Sequence, residues 1–182
     1  MTLTKYTNLN QTVDQTLILT RVFNAPRDQV FKAWTQLQRM KQWWGPKGFT
    51  CPVFKLDLRQ GGEYLNCVRS TDGKDYWSRG VYREIEVPQR IVCTDSFADE
   101  YGNLVSPEDY GMSPDWPSEA LITVIFTEHA GKTRIMLQHS PIKPGLERDM
   151  CQQGWSESLD KLADYLNNAL DNKIKNTVSK QL

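Results

Sequence analysis

The side chains with the most chemistry to offer are four cysteines, Cys51, Cys67, Cys93 and Cys151, and two histidines, His129 and His139. A thiolate is a nucleophile, and an imidazole near neutral pH is a general acid or base, so a paired Cys and His would make a nucleophilic site. Nothing in the sequence pairs them. The cysteines are widely spaced, with no Cys-x-x-Cys, which is the pattern of reduced, mostly buried thiols in a cytoplasmic protein. Two histidines give a zinc site little to draw on, so no metal and no cofactor is expected. No Gly-x-Ser-x-Gly elbow, phosphate-binding glycine loop or His-Glu-x-x-His occurs. No catalytic residue can therefore be assigned. His139 remains as a general acid or base if the chain is an enzyme, and as a polar anchor or a hydrogen-bonded core residue if it is not.

A second group of residues is marked by spacing. Over residues 145–170, Trp155, Leu159, Leu162, Leu166 and Leu170 recur at three and four and share one helical face. Beside them runs a stripe of small residues, Cys151, Gly154 and Ser158. Glycine inside a helix costs about 1 kcal/mol relative to alanine. Either the helix backbone packs tightly on another layer at Gly154, or the missing side chains leave a cavity beside Trp155.

The rest of the chain must position that helix. Residues 17–23 read as a strand; Asn24-Ala25-Pro26 opens a short helix with Pro26 at its first position, and residues 38–43 form a second. Strands follow at 50–58, 64–70, 76–87, 91–97, 121–127 and 133–140, with turns at Gly61-Gly62, Asp72-Gly73, Pro88-Gln89 and Ala130-Gly131. A curved seven-stranded antiparallel sheet gripping one long helix, an α+β arrangement, accommodates this order. In strand 133–140, alternation puts Ile135, Leu137 and His139 inside and Arg134 and Gln138 outside. Ile122, Val124 and Phe126 face inward on the preceding strand. Trp77 and Tyr82 cannot both face inward without a bulge. Residues 99–118 make a long loop rich in Pro, Gly and aromatics, expected to pack on the body as a lid. Its acidic residues, Asp99, Glu100, Glu108, Asp109 and Asp115, read as solvated surface or as a contact for a basic partner. Residues 1–14 read as a polar leader, 15–170 as one domain, and 171–182 as a polar tail expected to fray.

The 22 basic and 22 acidic residues cancel, which argues against nucleic acid as the main partner. No window reaches the roughly 20 apolar residues of a membrane span. Oligomeric state stays open between monomer and homodimer.

Several short motifs, in order, resemble one family. These are Arg21-Val22-Phe23-Asn24-Ala25-Pro26 with Val30-Phe31-Lys32-Ala33-Trp34, then Trp43-Trp44-Gly45-Pro46, Gly61-Gly62-Glu63-Tyr64, Gly80-Val81-Tyr82-Arg83-Glu84-Ile85 and the Gly154-Trp155 helix. Over about 15–168 the chain is similar to proteins like the C-terminal domain of the Hsp90 ATPase activator Aha1. The resemblance implies the helix-grip fold of the START and birch-pollen-allergen (SRPBCC) superfamily, with a hydrophobic cavity between sheet and helix. It also implies that Tyr64, Asn66 and Val68 face inward. The activator's separate N-terminal domain has no room in 182 residues, so this chain alone is not expected to stimulate an Hsp90 ATPase.

Three functions follow as expectations. The first is binding of a hydrophobic small molecule in that cavity, without catalysis. Its site would comprise Trp155, Gly154, Cys151, Ser158, Tyr64, Asn66, Val68, Ile122, Val124, Phe126, Ile135, Leu137 and His139. The second is a co-chaperone-like module with a protein partner. The third is a cyclase or hydrolase acting on apolar substrates through His139. A cavity of several hundred Å³ would favour the first and third.

Overall fold

The computed structural model describes residues 15–178, with side chains described to 169; the expected leader, 1–14, and residues 179–182 lie outside the described residues. Strand β1 (Leu17–Phe23) leads into helices α1 (Arg27–Thr35) and α2 (Leu37–Trp43). Then come β2 (Thr50–Leu56), β3 (Glu63–Arg69), β4 (Asp75–Glu86), β5 (Arg90–Ala98), β6 (Ala120–His129) and β7 (Lys132–Ser140), and last α3 (Leu146–Val178). The seven strands form one sheet in the order β1-β7-β6-β5-β4-β3-β2, antiparallel throughout. It is a curled half-barrel that holds α3 in its concave face, the helix-grip fold.

Pro26 proves to be the N-cap of α1, one residue before the helix proper. The last helix, α3, continues through 171–178, into the segment read from the sequence as a polar tail. No Gly or Pro follows Gly154, so nothing in the sequence stops the helix there.

One end of the half-barrel is solid. Phe31 and Trp34 from α1 meet Phe126 edge-on, Trp43 packs on Trp34, and Leu159, Leu162 and Leu166 of α3 are buried against them. Phe126, Ile135 and Leu137 belong to this filled core.

The register settles β4. Tyr64 lies opposite Gly80 and Asn66 opposite Ser78, so Tyr82 shares their inward parity, whereas Trp77 pairs with Cys67 and Ala98 on the other parity. The bulge of β4 falls between Tyr82 and Glu84, beyond both residues, and so cannot bring Trp77 inward. Gly80 is bare for a reason. The Tyr64 ring lies across it, and the Tyr64 hydroxyl reaches the Thr94 carbonyl (2.9 Å) and Asp95 Oδ1 (2.8 Å) on β5. A Cβ at Gly80 would stand 1.8 Å from the Thr94 oxygen and 2.5 Å from the Tyr64 ring. Because a backbone atom is in the way, Gly80→Ala should destabilise the domain by about 3 kcal/mol or more, the upper range for overpacking. Urea unfolding checks this; a loss under about 1 kcal/mol would mean that β4 and β5 part easily.

Candidate functional site

The other end of the half-barrel is not filled. A cavity of about 330 Å³ lies between the sheet and the first turns of α3. The helix contributes Glu147, Met150, Cys151, Gly154, Trp155 and Ser158, a run of three- and four-residue steps on one face. The small stripe read from the sequence is thus a cavity wall. A Cβ on Gly154 would meet only the Pro46 ring, at an ordinary 3.5 Å, so the helix backbone is not pressed against the sheet there. Ser158 donates its hydroxyl back to the Gly154 carbonyl at 2.7 Å.

Trp44 and Trp155 separate the cavity from the solid core. Their rings meet edge-on at 5.6 Å, and Trp155 stacks on Trp34 at 6.2 Å. Trp44 is held by the bend after α2. Gly45 takes φ 96°, which a side chain would strain, and Lys161 of α3 donates to the carbonyls of Gly45 and Phe49 at 2.9 Å. Partial burial lowers the Lys161 pKa.

The sheet wall is formed by Asn66, Val68, Tyr76, Ser78, Asp95, Phe97, Ile122 and His139, and Trp77 borders the cavity as well although its pairing puts it on the other parity. Asn66 is bonded at both ends, donating to Ser78 Oγ (2.9 Å) and accepting from the Trp44 indole (3.2 Å). His139 is different. Its Nδ1 accepts the Trp155 indole N–H at 3.2 Å and lies 3.5 Å from Cys151 Sγ. An Nδ1 that accepts places the ring proton on Nε2, and that nitrogen is buried without a partner. Burial holds the imidazole pKa below its usual 6.5, against the opposing charge of Asp95.

The fold thus makes the Cys–His contact that the sequence did not reveal, yet the contact is a poor nucleophilic pair. Burial pushes the Cys151 thiol up to about 12, so thiol and imidazole are both neutral at pH 7.

The roof is the loop over 99–118. A short 3₁₀ turn, Pro107–Tyr110, is closed by a Ser106/Asp109 capping box. The Tyr110 hydroxyl donates to the Ala98 carbonyl at 2.8 Å and accepts the Trp77 amide at 3.2 Å. Met112 and Trp116 line the cavity, and Ser113 Oγ donates to Glu147 of α3 at 2.8 Å. Most of the acidic residues are tied up locally. Asp99 accepts from the amides of Tyr101 and Asn103, Glu108 bonds Ser106, and Asp115 pairs with Lys143. Met150, 57% exposed, marks the mouth.

Of the expected site residues, Asn66, Val68, Ile122, His139, Cys151, Gly154, Trp155 and Ser158 meet at this cavity. Tyr64 and Val124 border a void of only about 30 Å³ deeper in the core. Phe126, Ile135 and Leu137 reach neither. The sequence reading missed Asp95, Phe97, Tyr76, Ser78, Met112, Trp116, Glu147 and Met150. Glu147 and Met150 continue the helix spacing, and Asp95 and Phe97 alternate with Cys93, so the signal was present. Among the described residues no cluster of His, Cys, Asp or Glu is suited to a metal ion, and no helix is long and apolar enough to cross a membrane.

His139 ties stability to pH. The unfolded imidazole takes a proton near pH 6.5 while the buried one resists it, so its contribution is complete above that value and is lost as pH falls through and below it. Between pH 6.5 and 5.5 unfolding should become easier by up to about 1 kcal/mol per pH unit. The dependence should flatten in His139→Phe. Chemical denaturation of both proteins across pH 5.5–7.5 measures it, and an equal slope in the variant would assign the effect elsewhere.

Sequence and structure comparisons agree with this fold. The family model described as "Activator of Hsp90 ATPase homolog 1-like protein" matches residues 24–167. No curated protein matches the chain. A solved protein of Chromobacterium violaceum is 25% identical, with 84% of this chain and 96% of that one covered and a TM-score of 0.70. A Staphylococcus epidermidis protein is 25% identical over 86% of this chain and 92% of its own, at 0.69. An AHSA1 protein of Silicibacter pomeroyi, 24% identical over 86% and 99%, shares the fold at 0.67. With its helix-grip architecture and a family match over most of its length, the chain belongs to the Activator of Hsp90 ATPase homolog 1-like family.

Proposed function

We propose that this protein binds a hydrophobic small molecule between the sheet and the first turns of α3, without catalysing a reaction on it. The observation that carries the reading is the cavity of about 330 Å³, walled by tryptophans and other apolar side chains with Asn66, Ser78, Asp95 and His139 among them. That is the composition of a ligand site, apolar surface with few polar groups to fix orientation. Catalysis through Cys151 is disfavoured by its raised pKa. Family membership keeps a co-chaperone-like module as a second reading, and that module would bind through the outer surface. Four free thiols suit a cytoplasmic setting.

Native mass spectrometry of the purified protein, followed by denaturing extraction, tests the reading directly. A co-purifying apolar molecule is expected.

Gly154 supplies the mutational test. Gly154→Ala should keep the fold and stabilise it by up to about 1 kcal/mol, since alanine fits the space and favours the helix. Gly154→Leu should fill the cavity and abolish uptake of an apolar probe with only a small change in melting temperature. Titrations followed by tryptophan fluorescence give the answer, and a stable leucine variant that still binds would move the ligand away from α3.

A further inference from the structure

The cavity has a definite electrostatic character. Its acidic wall residues are Asp95 and Glu147, with His139 and Cys151 held neutral by burial; no described Lys or Arg lines it. Glu147 is already spent on the roof, accepting from the Ser113 amide and hydroxyl. Asp95 is not spent. Its Oδ1 accepts the Tyr64 hydroxyl at 2.8 Å, while no described residue hydrogen-bonds Oδ2 and no described Lys or Arg pairs with the carboxylate. Lys161 is bound to backbone carbonyls, Lys143 to Asp115, and Lys74 lies 4.9 Å over the Tyr76 ring.

Around this open carboxylate stand Trp44, Tyr76, Phe97, Trp116 and Trp155. Aromatic faces carry negative electrostatic potential and attract cations, most strongly where water is excluded. An anion entering here would meet a carboxylate and ring faces, with no described Lys or Arg among the lining residues to compensate it. The unpartnered Nε2–H of His139 is a neutral donor and could not balance a carboxylate or phosphate.

We propose that the cavity selects an apolar cation, a protonated or quaternary amine on an aromatic or alkyl body, with Asp95 as its counter-ion. This rests on the reading of the cavity as a ligand site, and it excludes fatty-acid-like carboxylates and phosphorylated lipids as preferred ligands.

A matched series separates the two claims: 4-phenylbutylammonium, 4-phenylbutyl trimethylammonium, 4-phenylbutanol and 4-phenylbutanoate, titrated by calorimetry and tryptophan fluorescence at pH 7.5. The cations should bind at least roughly tenfold tighter than the alcohol, and the carboxylate weakest of all. In Asp95→Asn the advantage over the alcohol should fall to about twofold or less, with alcohol affinity retained. If that variant fails to fold for want of the Tyr64 contact, the order in the wild-type protein decides. Alcohol or carboxylate binding as tightly as the ammonium would overturn the charge preference while leaving the cavity as a ligand site. A preference that survives intact in a folded Asp95→Asn would remove Asp95 as counter-ion. No binding by any of the four would overturn both the preference and the cavity reading.

Discussion

The hydrogen bond from the Trp155 indole to His139 joins the long helix to the sheet at the boundary between packed core and open cavity. Much else depends on it. It fixes the histidine tautomer and so leaves a proton on the buried Nε2. It also orients the indole, which stacks on Trp34 on one side and walls the cavity on the other. Beyond Ser158 toward the C-terminus, the helix buries Leu159, Leu162 and Leu166 in the core. Before it the same face presents Cys151, which touches the sheet at His139, and Gly154, which has no side chain to reach it. One helix therefore does two things, filling one half of the concave surface and leaving the other half empty.

An empty half has a thermodynamic cost. A sealed, dry void of this size would cost several kcal/mol, at about 24 cal/mol per Å³. Two features moderate it. The cavity meets the outside at Met150, so it need not stay dry, and the roof is fastened to the body through Tyr110, Ser113 and the Glu147 carboxylate. The tryptophan cluster gives the opposite face a rigid wall, so the structure does not relax by collapse. Gly80 belongs to the same economy of space. Leaving β4 bare lets Tyr64 cross two strands and bond the backbone of β5, which positions Asp95 one residue further along.

Helix spacing and turn residues were enough to read most of the architecture. The three- and four-residue steps around Trp155 placed both the leucine stripe and the small stripe, and Asp72-Gly73 and Ala130-Gly131 closed the hairpins where expected. Alternation sent His139 inward correctly. What escaped needs register, which no single strand carries. Whether Tyr82 or Trp77 faces in depends on which residues of β3 and β5 lie opposite. The approach of Cys151 to His139 depends on how far α3 slides along β7. Asp95 was hidden because a lone acidic residue in a strand reads as solvent-facing until its partner, Tyr64, is known. Polarity alone did not give the end of α3, because helices stop at Gly, Pro or lost packing rather than at polar residues.

The Cys151–His139 contact shows why composition of a site does not establish its chemistry. In water, such a pair would be a candidate thiolate–imidazolium dyad. Here the same desolvation acts on both members in opposite directions, raising the thiol to about 12 and lowering the imidazole. Moving the proton from sulfur to nitrogen would create two charges in a poorly solvated space, at a cost of several kcal/mol. The indole N–H already on Nδ1 opposes it further, because the acceptor lone pair that would receive the proton is occupied. The arrangement is consistent as a neutral donor surface beside an open carboxylate. That asymmetry, acceptor charge without cationic charge among the described lining residues, fits the proposed binding role better than attack on a substrate.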